Sequence, residues 1–230
     1  MFIRRLTRFT AIGAAAIALA GLGYSQIGAA AAQSSAPTSG QGGPANRPSN
    51  ARSGPAAGGA AGTVESLSTS GFAISTSTGQ KLTVETASST AYRNGTSPAS
   101  ASAIAKGEGV VVLGTVDGTV ITATQVIVQP AAAGGAATSS AAAVIPFERG
   151  APSAARQAGQ IPANYQQGSG TIVSGTQANN ATEAALAAYP GGIVNRVVQL
   201  SDGEYEVHNI GVRWPHHIFV SRDFKVTGAE

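Results

Sequence analysis

Bulky apolar residues recur in two windows of this chain, about 62–128 and 181–227, and each window has a period that predicts its elements. In the first, "GTVESLSTSGFAISTSTGQKLTVETA" alternates bulky and small polar residues, with Phe72 and Ile74 on one strand face and Leu82 and Val84 on the next. Ser70-Gly71 and Thr78-Gly79 supply turn chemistry between them. Further on, "VVVLGTVDGTVITATQVIV" holds two apolar runs flanking Asp117-Gly118, a type I′ hairpin signal. "SASAIAKGEGVVV" predicts one turn of helix ending at Lys106-Gly107. Five or so short strands with tight turns predict a small antiparallel barrel or sandwich over 61–129.

The second window changes period. Asn180 stands three residues before Glu183, the capping-box spacing, and "ATEAALAAYPGG" then runs as a short helix. Thr182, Ala185, Leu186 and Tyr189 fall on one side, and Pro190-Gly191-Gly192 ends it. Strands flank Ser201-Asp202-Gly203 in "GIVNRVVQLSDGEYEVHNIGV", and "HHIFVSRDFKV" adds one or two more around Ser221-Arg222-Asp223. Residues 177–230 are therefore expected to form a small α+β module, a helix with an antiparallel sheet. The whole chain reads as multi-part: a small all-β domain and this module, joined by disordered linkers.

Two resemblances follow from these residues. Gly62-Thr63-Val64, Gly107 with Val110 to Gly114, and Ala123 with Val126 and Val128 make 62–128 similar to a small all-β domain of unknown function common in exported bacterial proteins. The alanine-rich helix ending in "YPGG", the valine strand Val194 to Leu200, "DGEYEVHNIG" and the closing "IFVSRDFKVTGAE" make residues 178–230 resemble a PepSY domain. That resemblance implies an interaction or inhibitory module, with a peptidase as one candidate partner and no catalytic residues to carry over. The loop "VRWPHH" departs from the family's commoner Gly-rich turn.

Outside the windows, residues 33–60 and 130–176 are rich in Ala, Gly, Ser and Pro and lack a hydrophobic period. Such composition cannot bury enough apolar area to offset its ordering entropy, so both are expected to be linkers. The island Val144-Ile145-Pro146-Phe147 is read as carrying nothing. At the start, "MFIRRLTRFT" is a basic region, Ala11 to Leu22 is apolar, and "GAAAAQ" offers A-x-A sites. A signal peptide over 1–32 is expected, cleaved near Ala32, with an uncleaved anchor as the alternative. The protein is thus expected to be secreted or held at the bacterial cell envelope.

Composition removes several functions. The net charge of +3 comes from fourteen basic and eleven acidic residues, and Arg4, Arg5 and Arg8 all lie in the leader. Without those three the remainder is neutral, so charge gives no case for nucleic-acid binding. The absence of cysteine removes disulfides, thiol catalysis and lipoprotein attachment. Serines sit mostly in the linkers without a Gly-x-Ser-x-Gly elbow, the acids are scattered, and no Gly-rich phosphate loop precedes a helix. No enzyme activity and no cofactor are expected, and membrane contact only through the N-terminal segment.

Two candidate sites remain. The loop residues Arg213, Trp214, Pro215 and His216 form a candidate protein-binding surface, since an aromatic in a loop has few neighbours to cover it. The other concerns the histidines. Successive strand residues point to opposite faces, so adjacent His216 and His217 are not expected to share a metal. If 205–209 pairs with 216–220 so that partner numbers sum to 425, then Glu206, His208 and His217 share one face. Those three are a candidate zinc or copper set. A polar strand face with its imidazoles partly buried beside Trp214 is the preferred reading. Function is accordingly expected to be recognition of another protein, a peptidase or envelope protein, with metal binding or a purely structural surface role as alternatives.

Overall fold

A computed structural model describes residues 54–129, 144–151 and 156–230. The expected signal peptide, most of the first linker and part of the second lie outside those residues. Fifteen strands, a 3-10 turn and one α-helix make up the described fold. The N-terminal strands are β1 (Ala56–Ser68), β2 (Gly71–Ser75), β3 (Lys81–Glu85), β4 (Ala91–Asn94), β5 (Ser97–Ala99), β6 (Gly109–Asp117) and β7 (Val120–Gln129). Then come β8 (Ile145–Pro146), β9 (Ala158–Gly159), β10 (Thr171–Val173) and helix α1 (Gly175–Ala188). The last are β11 (Ile193–Gln199), β12 (Tyr205–Ile210), β13 (Val212–Trp214), β14 (His217–Val220) and β15 (Val226–Ala229).

Thirteen of the strands form a single mixed sheet in the order β5-β4-β7-β3-β2-β1-β11-β12-β14-β15-β9, with β10 on β11 and β6 between β1 and β7. Pairing β1–β2–β3–β7–β6–β1 returns to its starting strand, so the N-terminal strands curl around one core. β7 runs parallel to β3 and β4, and the other ladders are antiparallel. β1 is long enough to continue outward and pair with β11 at Gly59↔Val194 and Ala60↔Ile193. Gly58 and Gly59 permit this crowding: a Cβ on Gly58 would strike the Val194 carbonyl, and one on Gly59 the Val112 carbonyl.

This overturns the expected fold class. There is no separate small α+β module joined to an all-antiparallel barrel by disordered linkers. A mostly β chain builds one large mixed sheet instead. The physical reason lies in "VVVL". Val110 and Val112 face the inner core, whereas Val111 and Leu113 belong to a second core with α1 and the C-terminal strands. A strand buried on both faces needs a second layer, and the second window supplies it. Ala178, Ala181 and Ala185 of α1 are fully buried there, and their small side chains let the helix pack closely against both groups of strands.

Other local expectations also change. The helix begins at Gly175 with Ser174 as its N-cap, so Asn180 and Glu183 lie inside it rather than forming a capping box. Glu183 pairs with Arg93 instead, at 3.4 Å. Within the expected second linker, β8 pairs with β13, β9 with β15 and β10 with β11, so the Val144–Phe147 island has a place in the fold. β1 likewise starts at Ala56, inside the expected first linker. Among the described residues no helix is long and apolar enough to cross a membrane.

A three-histidine cluster as candidate metal centre

β12 and β14 pair in the register read from the sequence: Tyr205↔Val220, Glu206↔Phe219, Val207↔Ile218 and His208↔His217. Tyr205, Val207, Ile218 and Val220 turn to the core shared with α1. Glu206, His208 and His217 lie on the opposite face, all buried, at 1%, 8% and 6% exposure. Arg196 of β11 stands opposite His208 in the ladder. Tyr165, from the segment that crosses this face, sets its ring 4.7 Å from Phe219 and 5.8 Å from His217.

His216 joins them, against the expectation drawn from strand alternation. The N–H groups of His216 and His217 both donate to the Glu230 carbonyl, at 2.7 and 2.9 Å. Two residues opposing one partner make a β-bulge, and β14 begins only at His217. The pleat therefore does not separate the pair. Imidazole centroids lie 4.4 Å apart for His208–His216, 4.8 Å for His216–His217 and 5.3 Å for His208–His217. One ring nitrogen from each histidine lies within 4.8 Å of the others.

The surrounding groups orient the rings. His208 Nδ1 donates to Asn195 Oδ1 at 2.5 Å, leaving Nε2 as its free lone pair. His217 Nδ1 donates to the Glu206 carboxylate at 2.7 Å, leaving its Nε2 free as well. A carboxylate or amide behind each imidazole is the usual support of a metal-bound histidine. His208 Nε2 and His216 Nε2 are 2.9 Å apart, close enough to share one proton, carried by His216. Three imidazoles around one zinc at about 2.1 Å would have nitrogens about 3.4 Å apart, so small ring rotations suffice. Glu206 contributes its second oxygen, which has no partner among the described residues, as a counter-charge.

Electrostatics keeps two of the ligands, His208 and His216, unprotonated. Burial first, then the Arg196 guanidinium, then the other two imidazoles push His208 down to about 3. His216 is lowered too, by burial and by His217, while a hydrogen bond to the Asn209 backbone opposes the shift. Burial and the nearby Glu206 and Glu230 carboxylates raise the Tyr165 phenol, so it stays neutral. Neutral imidazole is the form that binds a metal.

Of the metal set expected from sequence, His208 and His217 offer ring nitrogens and Glu206 stands behind His217. His216, Asn195, Tyr165 and Arg196 were not in that set. Asn195 was signalled by a polar residue interrupting the run "IVNRVV", where β11 has a register shift. The candidate recognition loop is differently placed. Trp214 is 3% exposed, donating Nε1–H to the Arg156 carbonyl at 2.8 Å with the Tyr189 ring edge-on at 5.4 Å. The Arg156 guanidinium covers its face at 4.6 Å. Pro215 is buried, and Arg213 and His216 are half-buried. Comparison of the chain with protein-family models, curated proteins and solved structures finds no match.

Proposed function

We propose that this protein binds a divalent transition-metal ion, zinc or copper, through Nε2 of His208, His216 and His217. The observation that carries the reading is the convergence of three ring nitrogens within 4.8 Å, two of them freed by Nδ1 bonds to Asn195 and Glu206. Borderline-soft imidazole donors suit zinc and copper better than magnesium or calcium. Burial of His208 and His217 leaves little room for a substrate, which favours holding a metal over turning one over. The basic and apolar N-terminal stretch supports export, so the ion would be met in the cell envelope or outside the cell. Recognition of a protein partner through residues 213–216 has less support, because Trp214 and Pro215 are covered.

Calorimetric titration of the chelator-treated protein with Zn²⁺ and Cu²⁺ tests the proposal. One ion should bind per chain, with little proton release near neutral pH, because His208 and His216 are already neutral and His216 need only carry its N–H on Nδ1 instead of Nε2. His216→Ala removes a half-buried ligand and should weaken binding at least about tenfold, and Glu206→Gln should cost about tenfold or more. Equal affinity in the wild type and a folded His216→Ala variant would overturn the assignment.

A further inference from the structure

Beside the histidines, on the neighbouring strand β11, lies a side chain that is no ligand in the metal reading. Arg196 is 9% exposed, and its Nε is fully buried with no hydrogen-bond partner. None of the ion pairs among the described residues includes it. An Nε–H taken from water without an acceptor is costly, and a carboxylate or phosphate is the natural complement of a guanidinium. Arg196 lines a cleft of about 500 Å³ that runs between the start of β1 and the end of β10. Both strands pair with β11, β1 at 193–194 and β10 at 197–199, and the cleft occupies the gap they leave between them.

Ser174, the N-cap of α1, lines the same cleft. Its side chain makes no capping bond, and the first turn of the helix contains no acidic residue. The opening N–H groups of a helix lack intrahelical partners and carry about half a positive charge, so this end also favours an anion. Two positive features therefore meet at one cavity. The remaining walls are apolar: Pro55, Ala57, Ile172 and Val173. A bare phosphate would leave that surface unused.

We propose that this cleft binds a small organic carboxylate with a short aliphatic body. The carboxylate pairs with Arg196 at the closed side, the α1 N-terminus adds to its stabilisation, and the hydrocarbon lies against the apolar walls. The cleft's volume is within the range of small-molecule sites. Nothing in this assignment needs a metal on the histidines, so it stands or falls separately.

Titration of the full chain with hexanoate, acetate, inorganic phosphate and hexylamine, followed by calorimetry or amide chemical shifts, tests it. Hexanoate should saturate, bind about tenfold or more tighter than acetate through its added methylenes, and outcompete phosphate. Hexylamine should not bind. Arg196→Gln should lose about tenfold or more in hexanoate affinity. Ser174→Asp, at an exposed position, supplies the helix with its own carboxylate and should weaken hexanoate binding while leaving the fold intact. If Arg196→Gln fails to fold, Ser174→Asp decides. Absence of saturation below about 10 mM hexanoate, preference for phosphate, or affinity unchanged in a folded variant overturns the proposal.

Discussion

Burial and neighbouring positive charge favour the neutral form of His208. Asn195 accepts its Nδ1 proton, His216 and His217 crowd its other side, and Arg196 adds positive charge from β11. Since its folded value is about 3 against an ordinary 6.5, the unfolded chain takes up the proton first as pH falls. Stability from this group is full above about pH 6.5 and declines from there toward pH 3. In the metal-free protein we expect the melting temperature at pH 5 to be lower than at pH 7 by about 3 °C or more. His208→Gln, which keeps an amide donor toward Asn195, should flatten that slope in differential scanning calorimetry. A wild-type melting temperature that does not change from pH 7 to 5 would contradict the burial assigned to this imidazole. Bound zinc should keep the slope or steepen it, because the coordinated nitrogens take no proton in the folded state while all three imidazoles take one once the chain unfolds and the metal leaves.

Among the elements, β1 decides the architecture. It pairs with β2, β6 and β11, and its two glycines admit neighbouring backbone where a side chain would collide. Gly59→Val should therefore cost about 3 kcal/mol, read as a lower urea midpoint, because the β6 backbone must move. An unchanged midpoint would mean that the close approach of β1 and β6 is not tight. Helix α1 shows the limits of a local signal. Asn180 and Glu183 have capping-box spacing, but the preceding residues from Gly175 are also helical, so no N-terminus falls there. The segment 156–173 is similar in kind. Its composition is that of a spacer, yet Arg156 covers Trp214, Tyr165 covers His217, and β9 and β10 extend the sheet.

For the molecule as a whole, a continuous sheet has thermodynamic consequences. Val111, Leu113 and Ile127 from the N-terminal strands share a core with α1, Val197, Val207 and Ile218. Neither half can lose its structure without exposing apolar surface of the other. Calorimetry should show one unfolding transition, and saturating zinc should move it upward as a unit. Two transitions, with zinc shifting only the later-melting or earlier-melting one, would mean that the halves fold independently.

The sequence by itself determined what depends on neighbours along the chain. Alternation marked the strands, Asp117-Gly118 and Ser201-Asp202-Gly203 marked hairpins, and the apolar pairs of 205–220 set a register that placed His208 opposite His217. Tertiary structure decided what depends on residues far apart. The double burial of "VVVL" was written in four letters, but its second layer lies some eighty residues on. His216 reached the other two histidines because Glu230, fourteen residues away, accepts two consecutive N–H groups and breaks the pleat. Trp214 left the surface because Arg156 and Tyr189 cover it. Period two is a property of one strand; a bulge, a cover or a shared core is a property of what packs against it.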